Sequence, residues 1–195
     1  MHAHKEEYLD AKKQFEFLVQ EIITRMSDWE EDLPFLVPEN CTFRINRDTR
    51  FSDNKSPYKD NFGAYFAYGG KKGGLPGYYL HVSPNKVFVA AGLWMPEADK
   101  LIKIRRHIVE HGHELEKLLK NKKLPALDTE HMLKRPPKGF SAENEYVELL
   151  KYKSFTMSYP LEVNDFLKPG FGKRVDKYFK TFRPLNQFLY EGLKK

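Results

Sequence analysis

A chain of 195 residues with 41% hydrophobic and 14% aromatic content is long enough for one sizeable core, and it is too apolar for a disordered protein. No apolar run approaches the roughly 20 residues that span a bilayer, and the charged start MHAHKEEYLDAKKQ has no signal-peptide segment. A cytoplasmic protein without a membrane partner is therefore expected. The formal charge of +6 favours anionic partners in general, although 33 basic residues face 27 acidic ones and the bias is mild.

In chain order, Tyr8, Ala11, Phe15, Leu18, Val19, Ile22 and Met26 recur at spacings of three and four, which predicts an amphipathic helix. The prolines of DLPFLVPEN end it. CTFRIN, NFGAYFAY, GYYLHVS and KVFVAAGLW then read as strands, rich in aromatic and β-branched residues. SPNK is a short hairpin turn between the last two, and GGKKGGLPG is a longer loop. Pro96 marks the start of a second helix with Leu101, Ile104, Ile108, Leu115 and Leu118 as its buried stripe and Gly112 as a weak point. After the basic connector LPALDTEHMLKRPPKGF come a short helix in AENEYVELL and one more strand in KYKSFTMSY. The last helix carries Phe171, Val175, Tyr178, Phe182, Leu185 and Leu189, and Pro184 is expected to break or kink it after Arg183. The whole reads as a single domain over residues 1–195 of α+β class. Its mainly antiparallel sheet of about four to five strands is flanked by an N-terminal helix, a central helix and C-terminal helices.

The stretch RINRDTRFSDNKSPYKDNFGAYF concentrates charge between aromatic, strand-like ends. If residues 43 to 51 are extended, Phe43, Ile45, Arg47, Thr49 and Phe51 share one face, and Arg44, Asn46, Asp48 and Arg50 share the other. Arg47 thus lies among hydrophobes and needs a partner, either a carboxylate of the protein or an anion supplied by a ligand. Arg44 and Arg50 flank Asp48, so surface ion pairs explain them without a ligand. Lys55 and Lys59, on a Ser-, Asp-, Asn- and Pro-rich turn, add the donors that bind phosphate or carboxylate. Arg44, Arg47, Arg50, Lys55, Tyr58 and Lys59 are therefore the anion-binding set. Asp48 and His81 are the acid/base candidates, His81 on the condition that its face also holds Arg44 or Arg50.

The run Arg44, Arg47, Asp48, Arg50, Phe51, Asn54, Lys55 and Tyr58 resembles the signature RxxRDxRFxx(D/N)KxxY of the bacterial domain-of-unknown-function 2461 family. The similarity continues through KDNFGAYF, the GGKK loop, GYYLHVSP, AAGLWMPE, LKRPPKGF and YKSF. The family carries no established activity, so the resemblance adds weight to these positions and names no reaction. Its members usually have a further N-terminal segment before the match to HAHKEEYLDAKKQF, and this chain is expected to start at that match.

Three weaker signals remain. His107, Glu110 and His111 spell HxxEH, a zinc-protease spacing, but His111 falls in the apolar stripe, where a core histidine is commoner, and no metal is expected. GGKKGG lacks the helix that a phosphate loop opens, so a flexible loop with two exposed lysines is expected. LKRPPKGF is a basic connector or a partner-binding segment. No cofactor is implied. The leading reading is a binding protein or enzyme for a small anionic, phosphorylated ligand. Nucleic-acid binding with Tyr65, Tyr68, Tyr78 and Tyr79 as stacking residues comes second, without a supporting motif, and a non-catalytic interaction module third.

Overall fold

The computed structural model describes residues 5–31, 33, 35–47 and 55–194. Helix α1 (Lys5–Met26) buries Phe15, Val19, Ile22 and Met26, the stripe that the spacing predicts. Its Tyr8 and Phe15 rings stack on Phe62 at centroid distances of 6.2 and 5.2 Å. The short α2 (Pro38–Cys41) opens on proline, which loses nothing there because the first helical N–H has no partner in any case. It buries Cys41 completely. Burial pushes that thiol up to about 12, against a weaker downward pull from Lys71.

Strands β1 (Phe62–Phe66), β2 (Gly77–Val82), β3 (Val87–Leu93) and β4 (Phe155–Leu161) form one antiparallel sheet in the order β1-β2-β3-β4. With its helices this is the expected α+β class. β1 and β2 pair with Gly63 opposite His81, Ala64 opposite Leu80, and Tyr65 opposite Tyr79. Side chains alternate as a strand requires: Ala64, Phe66, Tyr78, Leu80 and Val82 are buried, while Tyr65, Tyr79 and His81 lie half-buried on the other face. The Ser83–Lys86 turn closes through Ser83 N–H to the Lys86 carbonyl at 2.9 Å, as SPNK predicts.

CTFRIN departs from expectation. Cys41 belongs to α2, and residues 42–47 form two isolated bridges rather than a strand, Thr42 with Ala64 of β1 and Asn46 with Tyr58. The 58–64 side carries two residues more than the 42–46 side between those bridges, which interrupts the ladder. The GGKK loop departs as well. It forms a 3-10 turn, Gly70–Lys72, in which half-buried Lys71 donates to the carbonyls of Glu39 and Thr42. Gly70, at φ +66, makes this possible, because a Cβ there would lie 2.6 Å from the Asn40 carbonyl oxygen.

The chain divides into two compact units. The first draws on Met1–Gly73, Tyr78–Val89 and Pro160–Lys177, and includes the short α5 (Val163–Phe166). Here the buried Tyr78 hydroxyl donates to the Glu30 carboxylate, and Trp29 meets the Tyr78 ring edge-on while its indole N–H donates to Asp176 at 2.7 Å. The second draws on Gly74–Gly77, Ala90–Tyr159 and Tyr178–Lys195. Its central helix α3 (Ala98–Leu119) buries Ile104, Arg105, His107, Ile108, Gly112 and Leu115. Gly112 is a fitted position, since the Tyr146 ring fills the space of a side chain, 2.3 Å from where a Cβ would sit. Arg105 donates from Nε to the carbonyl of Leu150, at the end of α4 (Val147–Leu150), and from Nη2 to that of Tyr152, at 2.8 and 3.1 Å.

Helix α6 (Phe171–Lys194) runs through Pro184. The proline sits on the exposed side, and Phe179, Phe182, Leu185, Phe188 and Leu189 are buried on either side of it. Burying several large side chains at about 1.5–3 kcal/mol each outweighs the roughly 3 kcal/mol that an internal proline costs.

Candidate functional site

In the first unit, the half-exposed face of β1 and β2 carries a polar and aromatic cluster centred on His81. The Tyr79 hydroxyl lies 3.2 Å from His81 Nδ1, and the Asn61 side-chain amide nitrogen lies 3.5 Å from the same atom. A neutral imidazole whose Nδ1 accepts from either neighbour carries its ring proton on Nε2. Burial raises the Tyr79 phenol above its ordinary range and keeps its proton in place to donate. Burial also lowers His81, the Lys86 ammonium lowers it further, and Asp60 opposes both. The imidazole is thus held neutral, as a hydrogen-bond donor through Nε2.

Aromatic rings fix this pair. His81 stacks on Phe88 at 4.7 Å with the planes 19° apart, Tyr79 packs against Phe88 at 5.7 Å, and Phe43 meets Tyr79 edge-on at 6.1 Å. Two ammonium groups frame the cluster: Lys86 over Phe88 at 4.8 Å and Lys59 over Phe43 at 5.8 Å. Gly63, directly opposite His81, leaves room for the Tyr79 hydroxyl, which would lie 2.6 Å from a Cβ on that residue.

Of the sequence-derived residues, Lys59 and His81 are in this cluster. Arg47 is half-buried and pairs through its backbone, its N–H donating to the Pro57 carbonyl at 2.9 Å, and the neighbouring Ile45 carbonyl accepts from the N–H of Lys59. The Arg47 Nε is buried and has no hydrogen-bond partner among the described residues. Arg44 is exposed. Tyr58 is half-buried at the bridge to Asn46, and Lys55 is exposed on the turn before it. Asp48 and Arg50 lie outside the described residues.

Tyr79, Asn61, Lys86 and Phe88 were not singled out for this site by the sequence. Tyr79 was legible all the same: it stands two residues from His81 in a strand and so had to share its face. The stacking set offered for nucleic acid does not hold together. Tyr78 is 2% exposed with its hydroxyl bonded and Tyr79 is engaged with His81, whereas Tyr68 is exposed.

Among the described residues, no group of three or more His, Cys, Asp or Glu side chains suited to a metal ion occurs. The buried member of HxxEH is His107, packed on Phe188 at 4.6 Å, rather than His111 as the stripe suggested. His111 adopts non-helical angles (φ −127°, ψ 19°) that kink α3, and its ring turns out to Glu114 at 3.2 Å.

The fold and the described residues thus define an α+β protein with a histidine-centred polar cluster on an open strand face. The chain matches the family of conserved hypothetical proteins DUF2461 over residues 1–188 and belongs to it. No curated protein and no solved structure matches it.

Proposed function

We propose that the Tyr79–His81 face of the first unit binds a small anionic, phosphorylated ligand. The observation that carries this reading is Arg47, half-buried two residues from the Ile45 carbonyl that accepts from Lys59 N–H, with a guanidinium nitrogen that no described residue satisfies. A buried donor of that kind is costly unless a ligand completes it. Lys59 and Lys86 add positive charge at either end of the aromatic row, and neutral His81 offers Nε2–H to a phosphate oxygen. Arg50, Lys55 and Tyr58 belong to the same reading as further donors, with Arg44 at its margin. Should the bound phosphoester react, Asp48 and His81 are the residues to move a proton.

A thermal-shift screen of inorganic phosphate, nucleoside monophosphates and sugar phosphates against the wild type and Arg47→Ala tests it. A ligand at about 100 times its Kd stabilises the native state by about 2.7 kcal/mol. The expected result is such a shift in the wild type and its loss in Arg47→Ala. Equal shifts in both proteins, or none with any phosphorylated probe, sink the reading.

A further inference from the structure

We propose that the Trp94–Met95 turn of the second unit docks an acidic polypeptide segment of a partner protein. This surface is independent of the phosphate reading and shares no residue with it. Trp94 is 68% exposed and Met95 45% exposed, side by side in the turn between β3 and α3. A single exposed apolar residue is unremarkable; this pair is held out by a specific backbone. Met95 takes the left-handed conformation at φ +43, uncommon for any residue but glycine. Its N–H donates to the hydroxyl of buried Ser154 at 2.9 Å, which fixes the turn.

The charge beside it indicates the partner. The His131 ring meets Trp94 edge-on at 6.4 Å. Backbone bonds from Leu133 N–H to the Lys151 carbonyl and from Lys153 N–H to the His131 carbonyl anchor the segment that begins there. That segment continues as LKRPPKGFSA without one carboxylate, and it exposes Lys134, Arg135 and Lys138. Pro137 is buried and its carbonyl accepts from Phe140 N–H, so the cations stand on an ordered loop. The ion pair recorded nearby, among the described residues, joins Lys151 to Glu148 and leaves those three uncompensated. Trp, Met and Arg are the residues enriched at the energetic centres of protein interfaces, and a cationic rim selects and steers an acidic partner. Single-stranded nucleic acid uses successive aromatic platforms, whereas this surface offers one indole.

Fluorescence anisotropy with a labelled peptide of alternating Asp and Glu around a central Leu-Phe pair tests the proposal on the full chain. Saturable binding is expected, weakening steeply with salt. It should weaken about tenfold or more in Trp94→Ala, and by a similar factor in the triple variant Lys134→Gln, Arg135→Gln, Lys138→Gln. Circular dichroism confirms that both variants fold. Absence of binding, equal binding by wild type and Trp94→Ala, or preference for oligothymidylate or phosphatidylserine vesicles over the peptide overturns it.

Discussion

Two histidine clusters, one in each unit, invert the order of their sequence signals. His107 and His111 come from a recognisable HxxEH motif, yet the structure gives them packing roles: His107 is sealed against Phe188, and His111 leans out to a glutamate. His81 comes from no motif beyond a strand that reads GYYLHVS. It nevertheless has two polar neighbours at Nδ1 and a cationic surround. Spacing on a helix states which side chains can meet, while chemistry depends on what else meets them. In the first cluster the carboxylates of Glu110 and Glu114 lie against the partly exposed His111, while the second obtains its partners from Tyr79 on its own strand and from Asn61 just ahead of β1, across the sheet.

The sharpest break between the clusters should come from Phe188→Ala. Removing a phenyl ring that is 5% exposed and packed on His107 should cost about 3–5 kcal/mol in a urea melt, while the folded fraction keeps its affinity for any ligand of the His81 face. Lost affinity in that fraction would show that the two clusters are coupled. Next in size is Gly63→Ala. The new Cβ collides with the Tyr79 hydroxyl, so the bond to His81 is lost, with about 1 kcal/mol of stability and several-fold weaker phosphate binding. A thermal-shift titration that finds unaltered affinity would remove Tyr79 from the site.

The pH dependence sharpens the contrast further. His81 is lowered in the folded state from an ordinary value near 6.5, so the unfolded chain binds the proton more readily below that pH. Stability from this group is fully present above about 6.5 and is lost as pH falls through the folded value. Urea melts between about pH 5 and 7 should therefore show a shallower slope in His81→Gln than in the wild type; identical slopes would contradict the neutral imidazole. The smallest effect belongs to His111→Gln, expected to lie within about 0.5 kcal/mol because the ring is partly exposed. Added zinc should not raise the melting temperature of either protein, and a zinc-dependent rise that His111→Gln abolishes would restore the metal reading.

Local periodicity carried most of the fold. The stripes of α1 and α3 and the alternation of β1 to β3 were readable because each element buries one face, and that need writes a period into the sequence. Pro184 does not end the helix, because helix propensity is local, while the buried phenylalanines and leucines around it act through tertiary packing. CTFRIN has strand composition, but its ladder depends on the spacing of the partner side, which composition does not record. For the candidate site, Arg47 is half-buried and Arg44 exposed. Gly63 was out of reach, because its role is to be opposite His81, and register between strands is invisible in one sequence.

The burial of Cys41 also matters at the bench. A fully enclosed thiol with a pKa near 12 has almost no thiolate at neutral pH, so maleimides and air oxidation should pass it by. Because it is the chain's sole native cysteine, a cysteine introduced at exposed Lys86 or Met95 would be the one reactive handle. Either face could then carry a spectroscopic label without first stripping the natural residue from the core.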